Sequence, residues 1–122
     1  MSSKLTIFIN NEAVIEYDRA KPLPEKQQQY LDKMDVDMDS GFLLGDDQID
    51  QPDDKDRAKF VAMNLVQAIE ANTEPYIVAY CAYLALRQAG LTEVRADAQG
   101  DQFMIDLVYD QGQEVGFTKK LN

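Results

Sequence analysis

The side chains that could bind a cation or a basic partner are concentrated in one stretch of the sequence. Ten aspartates fall between residues 32 and 56, and only Lys33 and Lys55 are near basic neighbours within it. Carboxylates can ligate calcium, transfer protons or face a positively charged protein surface. The ten are Asp32, Asp35, Asp37, Asp39, Asp46, Asp47, Asp50, Asp53, Asp54 and Asp56.

Three of these aspartates, Asp35, Asp37 and Asp39, alternate along the chain as the first ligands of an EF-hand calcium loop do. Alternate side chains of a tightly wound loop converge on one ion, and Asp46 occupies the twelfth position of that loop. The pattern departs from the motif, because Ser40 replaces the sixth-position glycine and a longer glutamate is expected at the twelfth. Calcium bound by these four aspartates is therefore an alternative hypothesis.

The same segment also has the spacing of a helix. Apolar residues recur at helical intervals, and a helix that buries them puts Asp32, Asp35 and Asp39 on a solvated face. A helix cannot also wind as a calcium loop through the same residues. We favour the helix, with its acidic face as an interaction surface for a protein partner with a basic surface; mimicry of nucleic-acid phosphate is a further hypothesis.

Three tyrosines, Tyr76, Tyr80 and Tyr83, occupy positions i, i+4 and i+7 of a predicted apolar helix. Tyrosine combines a large apolar ring with a hydroxyl, so this row is a candidate interaction surface or pocket wall. The alternative interpretation is core packing, with the hydroxyls reaching the rim of the core. Cys81 lies on the same helix with no cationic neighbour in the sequence, so we expect a buried, unreactive thiol.

The composition argues against most classes of enzyme. The chain has no histidine, so the usual general base and zinc ligand are missing. Its three serines lie outside any Gly-x-Ser-x-Gly turn, and its six glycines are scattered singly instead of forming a phosphate loop. We predict no catalytic residues and no cofactor other than the hypothetical calcium. A small carboxylate-dependent enzyme is the second alternative.

Charge and hydropathy limit the partners and the compartment. Twelve basic and 22 acidic residues give a formal net charge of −10, which disfavours nucleic acid and anionic membrane surfaces. The longest uncharged stretch, between Glu74 and Arg87, is shorter than the roughly 20 residues of a spanning helix. A lone cysteine cannot form an internal disulfide, and no signal-peptide pattern opens the chain. We therefore expect a soluble cytoplasmic protein.

The elements that must position these residues follow from periodicity. The first 18 residues predict a hairpin around a loop at residues 10–12, which puts six apolar side chains on one face. The expected pairs are Ile9 with Ala13, Ile7 with Ile15, and Leu5 with Tyr17.

Three helices are predicted in the middle of the chain: one at about Pro24–Asp39, a second that follows an N-cap at Asp53 and breaks at Asn72, and a third at about Glu74–Ala89. The Asp-rich segment at about residues 40–53 is expected to be a loop between the first two. The third helix is apolar nearly all round, so we expect it to be central and covered on two sides.

A second hairpin is predicted near the end of the sequence, with Gln99-Gly100 as a two-residue turn. Its apolar pairs are Ala96 with Phe103, Val94 with Ile105, and Thr92 with Leu107. A further strand at Glu114–Lys119 is weakened by Gly116.

Together these elements predict an α+β fold in one domain spanning residues 1–122. Both hairpins would form one mainly antiparallel sheet with the helices packed on one face. The alternative places the hairpins on opposite sides of a helical core. The leading functional hypothesis is a small acidic binding or adaptor protein that acts without catalysis and dimerises through open sheet edges.

Overall fold

The computed structural model describes residues 4–44, 46–110, 112 and 114–120. Residues 118–120 are described through their backbone alone. The helices are α1 (Glu25–Asp39), α2 (Asp54–Ala71) and α3 (Glu74–Arg87). The strands are β1 (Lys4–Ile9), β2 (Glu12–Asp18), β3 (Phe42–Leu44), β4 (Asp47–Ile49), β5 (Leu91–Gln99), β6 (Gln102–Tyr109) and β7 (Glu114–Lys120).

One five-stranded sheet in the order β2-β1-β5-β6-β7 unites the two ends of the described chain. Neighbouring strands are antiparallel except for β1 and β5, which run parallel. A parallel pair needs a long crossover connection, and the three helices lie within it. Alternate residues of β5 and β6, such as Val94 and Ile105, are fully buried on the helix side of the sheet. The predicted α+β fold is confirmed.

The N-terminal hairpin differs from the prediction in its turn. Two expected pairs, Leu5–Tyr17 and Ile7–Ile15, are confirmed. The turn consists of Asn10–Asn11 alone, with φ angles of 50° and 68°, as the type I′ turn requires. Ile9 consequently pairs with Glu12, so its expected pairing with Ala13 is wrong. The residue left over by the shorter turn is absorbed as a β-bulge at Val14.

The C-terminal hairpin turns one residue later than predicted. Gln99 pairs with Gln102, so the turn is Gly100–Asp101, and Gly100 supplies the positive φ of 64°. A glycine in the first central position suits a type II′ turn. All three expected pairs are therefore wrong, and the observed ones include Ala98–Phe103, Ala96–Ile105 and Val94–Leu107. Because the register moves by two residues, the predicted apolar row still faces the core except at Thr92, where a register irregularity brings Leu91 into the buried row instead.

The Asp-rich segment contains a short hairpin that the sequence analysis missed. β3 and β4 pair there, and the Phe42 ring stacks on Phe60 of α2 with 4.2 Å between the ring centroids. Gly41 precedes β3 with a φ of 93°, and a Cβ atom at this position would lie 2.5 Å from the carbonyl oxygen of Ile49. The hairpin therefore docks on α2 through a phenylalanine and needs a glycine at its start.

The second and third helices begin and end close to where the sequence predicts. Asp53 caps α2 by accepting a hydrogen bond of 2.8 Å from the Asp56 backbone N–H, and Asn72 ends that helix with a left-handed φ of 57°. In α3, only Cys81–Ala85 is continuously buried. The expectation that α3 is covered on two sides is wrong for its first half, where Tyr76 and Val78 are exposed.

None of the helices in the described ranges combines the length and the apolar character that crossing a membrane requires.

Candidate interaction surface

The carboxylate of Asp35 joins the three helices at one point. Its Oδ1 atom accepts hydrogen bonds from the Tyr83 hydroxyl at 2.6 Å and from Nη1 of Arg57 at 3.2 Å. Its Oδ2 atom accepts from Nη1 of Arg87 at 2.8 Å. The same Arg57 nitrogen also donates to the Asp35 carbonyl oxygen at 3.0 Å. One aspartate of α1 is therefore held by α2 and α3 through charge-assisted hydrogen bonds.

Each of the two arginines also contacts a second aspartate of α1. Arg57 donates from Nη2 to Asp39 at 2.5 Å, and Arg87 donates from Nη2 to Asp32 at 2.8 Å. These hydrogen bonds are the main reason that the pKa of each guanidinium is raised above its ordinary value. Asp32 and Asp39 remain mostly exposed, so the pairs are partly screened by water. We call these five charged residues and Tyr83 the Asp35 cluster.

The acidic face predicted for α1 therefore has two parts. Asp32, Asp35 and Asp39 lie on one side of α1, and each forms an ion pair with an arginine of this chain. Asp35 pairs with both Arg57 and Arg87, so its carboxylate mainly connects the helices. Asp37 lies on α1 and is exposed, whereas Asp46 lies in a turn next to β4. Among the described residues, no group of three or more Asp, Glu, His or Cys side chains could hold a metal ion. Calcium binding by this segment stays a prediction.

The predicted tyrosine row divides into two environments. Tyr83 is 2% exposed, and burial together with its hydrogen bond to Asp35 raises the pKa of its hydroxyl. Tyr76 is 52% exposed and stacks with Tyr80, with 6.2 Å between ring centroids. Core packing therefore describes Tyr83, whereas Tyr76 belongs to the surface and Tyr80 is partly buried against the core.

Tyr76 borders a groove between α1 and α3 with a volume of about 260 Å³. Tyr30 of α1 is also exposed, and it lies near enough to Tyr80 to add to the rise in the pKa of Tyr80 that burial causes. The groove, called the α1/α3 groove below, is lined by Gln27, Tyr30, Leu31, Pro75, Tyr76, Val78, Ala79 and Ala82. The sequence analysis did not identify Tyr30 as a surface residue. Tyr30 and Leu31 both belong to the apolar pattern of the predicted helix, and that pattern does not show which of them is exposed.

The α1/α3 groove is lined mainly by apolar groups. Its volume lies just below the roughly 300–1,000 Å³ of small-molecule sites, and its lining residues include no charged side chain. One carboxylate elsewhere, Asp53, has a lowered pKa, mainly because it accepts the Asp56 backbone N–H. That shift is explained by capping of α2.

A residue that the sequence analysis missed, Arg19, supports the end of α3 that leads into the sheet. Its Nε atom donates to the carbonyl oxygen of Ala85 at 2.9 Å, and its Nη2 atom donates to those of Gln88 and Leu91. A guanidinium at a helix C-terminus satisfies free carbonyl groups and the negative end of the helix dipole. Arg19 therefore ties the segment after β2 to the α3–β5 junction.

Cys81 is buried within α3, as predicted. It is 1% exposed, and burial raises the pKa of its thiol from 9.0 to about 12. The thiolate, which is the reactive form, is therefore strongly disfavoured in the folded protein near neutral pH.

This burial of Cys81 predicts a loss of stability at alkaline pH. The pKa is raised in the folded state, so the contribution is fully present below about pH 9 and is lost as the pH rises towards 12. Between pH 9 and 10, we expect the Cys81→Ala variant to lose about 1 kcal/mol less unfolding free energy than the unmodified protein does. Urea unfolding at both pH values measures this difference, and equal losses in the two proteins would contradict it.

None of the protein-family models, curated proteins or solved structures compared with this chain matches it.

Proposed function

We propose that this chain is a non-catalytic binding protein that takes a basic, amphipathic segment of a partner protein into the α1/α3 groove. The observation that carries the proposal is the set of exposed apolar side chains around that groove, Tyr30, Tyr76 and Val78. Contiguous exposed apolar surface on a charged protein is typical of an interaction site. Tyrosine is enriched at such sites because it contributes area with few rotatable bonds.

The charge of the chain supports a basic partner. A formal net charge of −10 attracts positively charged proteins over distances of about 8 Å at physiological salt. Leu31 lines the groove, and Asp32 is the next residue along α1. Most of the Asp32 side chain is exposed. An apolar residue of the partner would enter the groove while neighbouring lysines or arginines face the acidic surface. The lone cysteine and the acidic composition also support a cytoplasmic location as part of this proposal.

We expect a synthetic helical peptide of leucine and lysine in amphipathic order to bind more tightly than a scrambled peptide of the same composition. The scrambled peptide keeps the charge but separates the leucines, so the difference measures apolar docking. Isothermal titration calorimetry gives both affinities, and NMR shift changes on labelled protein should centre on Tyr30, Tyr76 and Val78. Equal binding of the two peptides would refute the groove as the binding site.

Matched substitutions extend this test. Val78→Ser should weaken binding of the amphipathic peptide about tenfold, since an apolar contact is lost at the groove. Val36→Ser is the matched control. Both valines are exposed, Val36 to 65% and Val78 to 49%, but Val36 does not line the groove. A loss that is the same in both variants would contradict the proposal.

We also propose that the protein forms a homodimer. In the described part of the fold, β2 and β7 are the outer strands of the sheet, and each pairs with a single neighbour. An outer strand leaves one row of backbone N–H and C=O groups available for pairing with another chain. Symmetric dimers are the commonest oligomers of soluble proteins.

A further inference from the structure

The two outer strands differ in how regular they are. β2 is interrupted by the bulge at Val14, and bulges are one way in which proteins protect sheet edges from pairing. β7 pairs with β6 from Glu114 to Lys120 without any irregularity. The backbone of β7 is therefore the more suitable template for a further strand.

The charges on β2 oppose self-pairing. The strand carries Glu12, Glu16 and Asp18 and no basic residue. If two copies of β2 were antiparallel about Ile15, Glu12 of one copy would occupy the register position opposite Asp18 of the other. Like charges directly opposite each other destabilise a sheet.

The charges on β7 favour self-pairing. If two copies are antiparallel about Phe117, position 114, a glutamate, lies opposite position 120, a lysine. Two-fold symmetry makes this complementary pair occur twice. Lys119 and Lys120 are also the only consecutive basic residues in the sequence, and they offset part of the net charge of −10 that makes two copies repel each other.

The core also extends to the β7 edge and is incompletely covered there. Val115 and Phe117 are partly buried and pack against the main hydrophobic core. Pairing about Phe117 sets the core-facing positions of the two copies side by side, which removes more apolar surface from water. The two five-stranded sheets then become one, with both helical layers on the same face.

We infer that the homodimer proposed above, on which this inference rests, forms by antiparallel pairing of β7 with β7 of a second copy, centred on Phe117. A pairing of β2 with β7 would leave one edge of each kind open and would continue into a filament instead of closing. The β7 pairing closes on itself and leaves the α1/α3 groove free for its own partner.

A charge exchange across the expected pair tests this interface. Sedimentation equilibrium at physiological salt should show that Glu114→Lys and Lys120→Glu each raise the dimer dissociation constant about tenfold, since each places like charges opposite each other twice. The double variant should return to within about threefold of the unmodified protein, because opposite charges again face each other. Glu12→Lys, the same change on β2, is the control and should not weaken the dimer.

Two results would overturn the inference in different ways. A strictly monomeric unmodified protein at millimolar concentration would refute both the homodimer and its edge, while peptide binding at the groove would be unaffected. A dimer that is unchanged by both single substitutions would refute the β7 edge alone. Should a variant fail to fold, hydrogen exchange of the unmodified protein decides the question. Amide protection that rises with concentration in β7 but not in β2 supports the inference, and the reverse contradicts it.

Discussion

Tyr83→Ala is expected to lower the free energy of unfolding by about 3–5 kcal/mol, the range for truncating a large buried aromatic residue. The ring is almost fully buried in the second half of α3. Its hydroxyl also donates to Asp35 at 2.6 Å, so the substitution removes packing and a hydrogen bond to a charged group. Urea unfolding followed by circular dichroism measures the loss.

Two related variants separate the causes of that effect. Tyr83→Phe keeps the packing and removes only the hydroxyl, so we expect a loss of about 1–2 kcal/mol, because Asp35 retains both arginines. Tyr76→Ala is the matched control on the same helix, and its half-exposed ring should cost less than about 1 kcal/mol. If Tyr76→Ala were as costly as Tyr83→Ala, the division of the tyrosines into core and surface would be wrong.

Asp35→Ala should produce the second largest effect, a loss of about 2–3 kcal/mol. The substitution removes the acceptor of three hydrogen bonds, from Tyr83, Arg57 and Arg87. Hydrogen bonds to charged groups contribute about 1.5–3 kcal/mol each, but partial exposure of the cluster and the remaining pairs with Asp32 and Asp39 reduce the total. Urea unfolding again provides the measurement.

Asp37→Ala is the control for this prediction. Asp37 lies two positions further along α1 and is exposed, so its removal should change the unfolding free energy by less than about 0.5 kcal/mol. The two variants change the net charge of the chain equally. A similar loss in both would mean that the overall charge, and not the Asp35 cluster, determines their stability.

The Asp35 cluster also connects stability with the proposed binding. α1 and α3 form the walls of the groove, and Asp35 holds α1 to α3 through Tyr83 and Arg87. Groove binding should therefore weaken in Asp35→Ala even though Asp35 does not line the groove. The tyrosines proposed to contact a partner and the aspartate that holds their helices together would thus have separate roles.

Local patterns in the sequence were sufficient for the three helices and for the faces of most strand residues, although Ala13, expected on the face of Ile7, pairs with Phe8 on the other face. Because side chains alternate with a period of two, a register shift of two residues leaves Val94, Ala96 and Ile105 on the same face. This explains why the buried row of the C-terminal hairpin was correct, apart from Thr92, although its pairing was displaced by two residues. Capping residues such as Asp53 and Asn72 likewise mark helix ends through interactions within a few residues.

The turns were harder to predict because several short loops satisfy the same alternation. The N-terminal hairpin shortened its loop to Asn10–Asn11 and compensated with the bulge at Val14. The short hairpin after Gly41 was also missed, since three-residue strands have too little periodicity to be recognised. Turn geometry and docking on α2 determined these features.

The amino-acid sequence alone determined that this is an acidic α+β protein with a buried thiol and helices on one face of a sheet. Only the tertiary structure decided which aspartates and tyrosines are available to a partner. Asp35 meets Arg87 across 52 positions of the chain, and Tyr30 meets the tyrosines of α3 only when α1 is packed beside it. Periodicity reports which face of an element is apolar, whereas the contacts between elements depend on how those faces pack together.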